Sequence, residues 1–466
     1  MRFTVLLWAG LGLGLSGAAS GGISGIAPDD SSHPNIENIA SVISSSVKGF
    51  SSGGTGPEPL TDLLNNLKKE ISPSGPAPVD TIEKAFDVIQ VKFSGQGRKT
   101  IIDSAANLAG SGLVSTKSLD SLSTCAGSDV DSHAYENGKA PDIPIYPSKS
   151  PNDAPYSLDE IALRSAIHFP DAFEYCQGEK KPVILVPGTS VPARVGFNST
   201  LAKLLAATTY ADPLWINIPN ASHGDIQINS EYVAYAINYV SAICQGHNVS
   251  VITWSQGSIN TQWSLKYWPS TRDVVEDFIA ISPDFGGTIL AEFICPPLQL
   301  ALFCTPAFAQ QASKSTFLDV LRSNGGDSAY VPTTTIYSAF DDIVQPMSGL
   351  LASGLMRDER NIGVTNNEMQ EVCFGRPAGG IYTHTTSLIN PLTWALIQDA
   401  LLNPGPGNTE RIGHLEKGVC NKFIPDELDI DDFFDTVGLI FIFLGEAVKY
   451  TEKTNVEPAI KDYAKI

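Results

Sequence analysis

The feature that most constrains this chain is a strand pattern that runs directly into a helix pattern. Val249–Trp254 is rich in β-branched and apolar residues, and Ser258–Trp268 has the apolar spacing of a helix. Only Ser255-Gln256-Gly257 joins the two, so the backbone must turn sharply and the residues two positions from the serine must be small. A serine on such a turn projects above the end of a sheet, where it can act as a nucleophile. We predict this role for Ser255; an ordinary strand-to-helix turn is the alternative.

Further apolar runs of strand length lie at 182–188, 278–282 and 333–338, with helix-like segments between them. Short apolar strands that alternate with helices are typical of a mostly parallel sheet covered on both faces. A nucleophilic serine between such a strand and a helix is typical of one architecture in that class. We therefore predict the α/β-hydrolase fold, with a mostly parallel central sheet flanked by helices and an N-terminal extension that is partly helical or disordered.

The N-terminus has the pattern of a secretory signal. Arg2, an apolar run over 3–15 and small residues at 17–20 predict a signal peptide over 1–19, and therefore a secreted, extracellular protein. Seven cysteines are consistent with an oxidising secretory route. Three Asn-x-Ser/Thr triplets are candidate glycosylation sites in a secreted protein, at Asn198, Asn220 and Asn248.

The residues that follow the signal differ in composition from the rest of the chain. Residues 20–157 begin with a Ser- and Gly-rich stretch and end in a polar, proline-rich one. Between these stretches, 59–71 and 80–91 have helix-like apolar spacing. We interpret 20–157 as an N-terminal extension or pro-region, and 158–466 as the catalytic domain.

Charge and composition exclude several kinds of partner. A formal net charge of −20 repels phosphate backbones, so we expect no nucleic-acid binding. The sequence contains no Cys-x-x-Cys and no His-Glu-x-x-His, so we expect no metal and no cofactor.

The apolar run Val437–Leu444 is too short to span a bilayer, so we expect no stable membrane insertion. We interpret that run as a buried or interface-facing helix, or as a surface element near the substrate entrance. We expect a monomer that binds an ester or lipid substrate and contacts a lipid interface transiently.

Few residues after Ser255 can complete a catalytic triad. A serine hydroxyl needs a base to accept its proton and an acid to orient that base. In the predicted fold the acid precedes the histidine, and only His384 and His414 follow the serine. His384 lies after a glycine-containing loop and His414 lies in a charged segment, so we prefer His384. The last of the four strand runs leads into Asp341-Asp342, and spacing alone does not decide which aspartate is the acid.

Two more polar features fall near the predicted site. Asp284 ends the strand run between the nucleophile and the acid, where it is either a second carboxylate beside the site or a cap for the next helix. A tetrahedral oxyanion needs a pair of donors. The backbone N–H of Gln256 is one, and the loop Pro187–Ser190 is expected to supply the other, with Thr189 adding a hydroxyl. A simple β-turn is the alternative interpretation of that loop.

Several segments, taken in order, resemble the Candida antarctica lipase B family. The resemblance covers about 170–466 and includes a threonine, Thr253, where most nucleophile turns have glycine. The matching segments are VILVPGT at 183–189, TWSQG at 253–257, SPDFGGT at 282–288, VPTTTIYSAFDDIVQP at 331–346, and Val372-Cys373 with the following His384.

The resemblance implies roles for individual residues. It implies Asp341 as the acid, His384 as the base, and Thr189 and Gln256 as the oxyanion donors. It further implies a substrate pocket formed by Trp254, Asp284 and Ile343.

The cysteines match the family only in part. The resemblance implies a Cys373–Cys420 disulfide and a lid segment near 291–311. A Cys295–Cys304 disulfide would stiffen that lid. The family's first disulfide begins at a position like Cys176, whose expected partner is not a cysteine here. The sequence leaves two partners open for it, Cys125 and Cys244.

These observations predict a secreted serine lipase or esterase that hydrolyses acylglycerols or other hydrophobic esters through an acyl-enzyme. One alternative is an acyltransferase or amidase of the same fold. A second is a non-catalytic binding protein with the hydrolase fold, which the complete set of triad residues disfavours. A further possibility is that residues 21 to about 150 form an inhibitory pro-region.

Overall fold

The computed structural model of the protein describes residues 36–50, 58–71, 78–93, 101–127, 133–295, 304–454 and 456–465. The predicted signal peptide at 1–19 lies outside the described residues, as does 296–303 within the predicted lid. Seven strands form one sheet: β1 (Ile167–His168), β2 (Lys181–Val186), β3 (Ala211–Ile216), β4 (Val249–Trp254), β5 (Val275–Ile281), β6 (Thr333–Tyr337) and β7 (Val364–Glu368).

The strand order across the sheet is β1-β3-β2-β4-β5-β6-β7. The short β1 pairs antiparallel with β3, and the other neighbours are parallel. All four strand runs that the sequence indicated lie in this sheet, and they form its centre. The predicted fold class, a mostly parallel sheet flanked by helices, is confirmed.

Within the described ranges the chain forms sixteen α-helices. Five precede the sheet: α1 (Ile36–Phe50), α2 (Glu58–Ile71), α3 (Ile82–Phe93), α4 (Ile101–Gly110) and α5 (Thr116–Ala126). The others are α6 (Glu160–Ser165), α7 (Ala193–Phe197), α8 (Leu201–Ala206), α9 (Ile226–Ile243), α10 (Gly257–Tyr267), α11 (Ile289–Ile294), α12 (Pro306–Gln311), α13 (Thr316–Arg322), α14 (Met369–Val372), α15 (Pro391–Leu402) and α16 (Ile430–Lys449). No described helix is long and apolar enough to cross a membrane.

Alternate side chains of the central strands pack against two different helical layers. Ile184 and Val251 belong to a core shared with α9 and α10. Leu185 and Ile252, one residue further along, belong to a second core with α15 and α16. Successive strand residues point to opposite faces, so an apolar run without polar interruptions is what a sheet covered on both sides requires.

The N-terminal helices are part of the second core. Helix α16 contacts α2 and α5, and apolar residues such as Leu63 and Leu122 are buried against it. The run Val437–Leu444 lies inside α16 and is almost entirely buried. The run is apolar because the N-terminal helices cover one side of α16 and the sheet covers the other. The N-terminal extension packs on the hydrolase architecture and contributes to its hydrophobic core.

Three disulfides connect the described residues. Cys295–Cys304 and Cys373–Cys420, the two pairings considered from the sequence, are both present. Cys176 pairs with Cys244, at a Cα–Cα distance of 5.3 Å, and not with Cys125. This bridge ties the segment before β2 to the end of α9.

Two glycines of α16 face the N-terminal helices and give a matched test of this packing. A Cβ on Gly445 would lie 2.6 Å from Leu60 Cδ1 and 3.2 Å from its Cα, so the backbone of α2 would have to move. A Cβ on Gly438 would approach only the flexible end of Leu122, 2.4 Å from its Cδ1.

We expect Gly445→Ala to lower the free energy of unfolding by about 1–3 kcal/mol, as overpacking does. We expect Gly438→Ala to cost less, because the leucine end can turn away and alanine favours a helix over glycine by about 1 kcal/mol. Thermal unfolding of both variants measures the difference. Equal stability losses would contradict the close approach of α2 to α16.

Candidate active site

The turn between β4 and α10 places Ser255 at the predicted site. Its φ of +56° lies in the left-handed region, which is unusual for a residue other than glycine. A Cβ on Gly257 would lie 2.5 Å from the Val186 carbonyl oxygen, so no larger residue fits there. Thr253 is tolerated on the other side because its hydroxyl lies 2.8 Å from Ser258 Oγ, inside the buried start of the helix. These contacts fix the sharp turn that the sequence spacing required.

The structure brings together His384 and the aspartate pair that follows β6. Asp341 Oδ2 lies 2.8 Å from His384 Nδ1, and its Oδ1 accepts backbone hydrogen bonds from Ile343 and Val344 at 2.9 and 2.8 Å. Asp342 instead accepts from the backbone N–H of His384 at 2.9 Å. The two aspartates therefore have different contacts: one orients the ring and the other holds its loop.

The alternative base is placed elsewhere. His414 is exposed in the loop after α15, and no hydrogen bond joins it to the aspartate pair within the described residues. His384 is buried, and Trp254 Nε1 donates to its backbone carbonyl at 3.1 Å. The geometry thus favours His384, as the sequence argument did.

Opposing effects set the proton affinity of His384. Burial favours the neutral ring and lowers the pKa of His384. The charge of Asp341 and its hydrogen bond outweigh this effect and raise the pKa above its ordinary value. The charges of Asp342 and Asp284 make smaller contributions in the same direction. A base with a raised pKa accepts a proton from a hydroxyl more readily, and the aspartate stabilises the imidazolium that results. The pair is therefore suited to general-base chemistry near neutral pH.

Asp284 is a buried carboxyl without a hydrogen-bond donor. It is fully buried, and neither side-chain oxygen has a partner within the described residues. Burial is the main cause that raises the pKa of Asp284 to about 7, and the charge of Asp341 adds to it. The cap of the next helix, α11, is Thr288 and not this residue. Of the two roles considered from the sequence, the contacts fit a second carboxylate near His384 and Asp341 and not a helix cap.

The loop after β2 approaches the nucleophile closely. A Cβ on Gly188 would lie 2.8 Å from Ser255 Cβ, so glycine is needed for this approach. The backbone N–H groups of Thr189 and Gln256 have no acceptor within the described part of the chain. Unpaired N–H groups beside a nucleophile can stabilise a developing oxyanion. The Thr189 hydroxyl donates to the Gln256 side-chain oxygen in this structure.

Gln311, at the end of α12, is a site residue that the sequence argument did not find. Its Nε2 donates to Thr189 Oγ1 at 3.0 Å. It is buried and lies within the predicted lid segment. No motif marks this glutamine, because its contact depends on how α12 packs on a loop more than 100 residues earlier.

Ser255 and His384 line one small cavity of about 30 Å³. Trp254 and Ile343 also line it, whereas Asp284, the third residue of the predicted pocket, is not among its lining residues and is fully buried. The apolar walls come from α4, α12 and α16 through Ile101, Leu108, Phe308, Leu439, Ile440 and Phe443. The N-terminal helix α4 thus reaches the site, which no local sequence pattern indicated.

The asparagines of the three triplets, Asn198, Asn220 and Asn248, are all exposed. No group of three or more His, Cys, Asp or Glu side chains that could hold a metal ion occurs among the described residues.

Named proteins are similar to this chain in sequence and in fold. Lipase B from Pseudozyma antarctica is 31% identical over 306 residues, which cover 63% of this chain and 84% of that protein. The chain belongs to the lipase B family. The resemblance indicated by the sequence motifs is confirmed, although no protein-family model matches the chain.

A solved lipase B structure matches most of the chain, including its N-terminal part. The crystal structure of Aspergillus fumigatus lipase B shares 46% identity and a TM-score of 0.83, over 92% of this chain and 100% of that one. Residues 158–466 are about two thirds of the chain, so the match must include much of the N-terminal helical segment. The protein is a lipase or esterase, a carboxylic-ester hydrolase of the α/β-hydrolase fold.

The unpaired carboxyl in this lipase B family site has a testable effect on the pH profile. With a pKa of about 7, Asp284 is partly charged where His384 titrates, and that charge contributes to the raised pKa of His384, so Asp284→Asn should lower the pKa of His384. The acid limb of kcat/KM reports the free-enzyme base, so it should move to lower pH.

Asp277→Asn is the matched control. Asp277 is also buried with a pKa raised to about 7, but it lies on β5 and accepts a hydrogen bond from Ser250. Its variant should leave the acid limb in place. The coupling of Asp284 to His384 is wrong if both variants give the wild-type profile in ester hydrolysis between pH 4 and 9.

Proposed function

We propose that the protein is a secreted lipase or esterase that cleaves hydrophobic carboxylic esters through an acyl-enzyme on Ser255. The observation that carries the proposal is the pairing of His384 with Asp341, 2.8 Å apart, at a cavity that Ser255 also lines. A nucleophile, an oriented base and unpaired backbone donors are the three requirements of acyl transfer by a serine enzyme.

The proposed reaction has two halves. Ser255 Oγ attacks the ester carbonyl carbon while His384 Nε2 takes its proton, and the carbonyl electron pair moves to oxygen. The N–H groups of Thr189 and Gln256 donate to this oxyanion, and the Thr189 hydroxyl adds a third bond by leaving the glutamine side chain. Collapse breaks the carbon–oxygen bond, and the departing alcohol takes the proton from His384. Water then attacks the acyl-enzyme by the same route, giving the acid and free Ser255.

Removal of the nucleophile tests this proposal. We expect Ser255→Ala to lower kcat for p-nitrophenyl butyrate by about a thousandfold or more, because the remaining groups lack a nucleophile to activate. The control is Ser264→Ala on α10, a buried serine that donates only to backbone carbonyls. Its kcat should stay near that of the wild type. Comparable turnover in Ser255→Ala and the wild type would mean that the turn is not the nucleophile site.

The walls of the cavity support a hydrophobic substrate. The side chains from α4 and α16 that close it are apolar, and Ser255 is only 4% exposed. A cavity of about 30 Å³ has room for only about two water molecules, far less than an ester with a long acyl chain requires. We therefore propose that α4 moves away from α16 when such a substrate binds, for example at a lipid interface. In this proposal the N-terminal helices restrict substrate access, which is the inhibitory role considered for residues 21 to about 150 in the sequence analysis.

A shorter side chain on the face of α4 that lines the cavity should allow esters with longer acyl chains to react. We expect Leu108→Ala to raise kcat/KM for p-nitrophenyl palmitate relative to p-nitrophenyl acetate by about tenfold, the size of effect that pocket volume commonly has. Leu119→Ala on α5 is the control, because Leu119 is equally buried in the N-terminal helices but does not line the cavity. An unchanged ratio in Leu108→Ala would argue that α4 does not limit access.

Secretion is supported by the signal-peptide pattern and by the disulfides. Three disulfides join six of the seven cysteines, which is typical of proteins that mature in an oxidising compartment. The exposed positions of the three candidate glycosylation asparagines fit the same route.

A further inference from the structure

A buried polar chain begins in the loop Pro187–Ser190, called the oxyanion loop from here on, and has no part in the reaction proposed above. It consists of Ser190, His223 and Thr305, none of which is exposed. His223 Nε2 lies 2.8 Å from Ser190 Oγ, and its Nδ1 lies 3.2 Å from Thr305 Oγ1. Hydroxyls can donate or accept, so both ring nitrogens have a partner whichever one carries the proton. The imidazole therefore bridges two segments that are 115 residues apart in the sequence.

The packing of His223 fixes its ring in this bridge. The ring stacks on Tyr450 at a centroid distance of 5.3 Å and meets the edge of Phe308 at 5.7 Å. Its backbone carbonyl accepts from the N–H of Ala307 at 3.1 Å. Burial, followed by the charge of Lys453, lowers the pKa of His223 to about 3, so the ring is neutral at neutral pH. A neutral, immobile ring is suited to holding neighbours in place and not to proton transfer.

The neighbour that it holds has an unusual backbone. Ser190 has a φ of +66°, in the left-handed region where residues other than glycine are rare. Such conformations persist only where the surroundings fix them. The backbone N–H of Ser190 donates to Ala221 at 2.8 Å, and its side chain bonds to the imidazole. Thr189 directly precedes it, so the direction of the Thr189 N–H depends on how Ser190 is held.

Helix α12 contacts this loop through both of its ends. Thr305 caps the first turn of the helix, accepting from Phe308 N, and reaches Ser190 through His223. Gln311, at the last turn, donates directly to the Thr189 hydroxyl. Two adjacent loop residues are therefore tied to opposite ends of one short helix. Thr305 also follows Cys304, whose disulfide joins α12 to the end of α11.

We propose that His223 is a positioning residue for the oxyanion loop. Its ring connects Thr305, at the start of α12, to Ser190 and so fixes the position of Ser190. The fixed Ser190 in turn holds the Thr189 N–H close to the substrate carbonyl oxygen, which becomes negatively charged in the reaction. The inference rests on the proposed function of the site. Oxyanion donors act mainly in the transition state, so the loss of this bridge should lower kcat and leave KM nearly unchanged.

The test compares three single variants and one double variant with the wild-type full-length protein in p-nitrophenyl butyrate hydrolysis. His223→Leu and Ser190→Ala should each lower kcat by about 10- to 100-fold, less than or equal to the loss of an oxyanion donor itself. His223→Gln keeps a donor and an acceptor on the side chain and should recover part of that loss. The double variant Ser190→Ala/His223→Leu should be no worse than the poorer single variant, because both changes break the same bridge.

His168→Leu is the matched control. His168 is a partly buried histidine that stacks on Trp215 at 4.4 Å, on the opposite side of β3 from β2. Its variant measures the effect of losing a packed imidazole away from the oxyanion loop, and its kcat should stay within about twofold of the wild type.

The outcomes separate this inference from the proposed function. Normal kcat in Ser190→Ala and His223→Leu, with an active wild type, would overturn the positioning role alone. A rise in KM without a fall in kcat would also overturn it. An inactive wild type would overturn the proposed function and the inference together. If His223→Leu does not fold, the kcat of Ser190→Ala decides, since that change removes only a hydroxyl.

Discussion

The site depends on the parallel register of four neighbouring strands, β2, β4, β5 and β6, whose carboxyl ends meet at one edge of the sheet. Val186 pairs with Thr253, Trp254 with Ile281, and Ile281 with Ile336. Each strand is followed by one group of the site: the Thr189 loop, Ser255, Asp284 and Asp341. Residues that are more than 150 positions apart in the sequence therefore converge without any long side chain having to reach across the sheet.

That convergence places several unfavourable groups together. Ser255 and Ser190 have left-handed backbones, and Asp284 and Asp342 are carboxyls whose pKa burial raises. Three of the four are held by contacts on every side: Ser255 by the close approach of Gly257 to β2, Ser190 by the His223 bridge, and Asp342 by the backbone N–H of His384. Strain and buried charge of this kind persist at functional sites because the rest of the fold over-determines their geometry. The two hydrophobic cores on either side of the sheet provide that rigidity.

The sequence predicted the parts of the site that depend on local chain geometry. The Ser255 turn follows from a strand, three residues and a helix, and the order of acid and base followed from the fold. The choice of Asp341 over Asp342 came from the resemblance, because adjacent residues differ only in which way their side chains point. The structure shows this difference as one contact to the ring and one to the backbone of His384.

Contacts between distant segments could not be predicted from the sequence. Cys176 could pair with either of two cysteines until the end of α9 was placed beside it. The reach of α4 to the cavity, Gln311 on the Thr189 hydroxyl and the His223 bridge all depend on the packing of α12, α16 and the N-terminal helices. Periodicity identifies a buried helix face, but it does not say which segment covers that face. The composition of 20–157 indicated an extension, and one of its helices, α4, nevertheless lines the cavity that contains Ser255.

The central claim is that Ser255 is the residue that becomes acylated, and a covalent adduct tests it most directly. The purified protein would be treated with a fluorophosphonate ester, digested, and sequenced by tandem mass spectrometry. The account predicts one phosphonyl group on Ser255, and no adduct after the protein is first unfolded, because the reaction needs His384 and the oxyanion donors in place. A modification on another residue, or none on the folded protein, would contradict it.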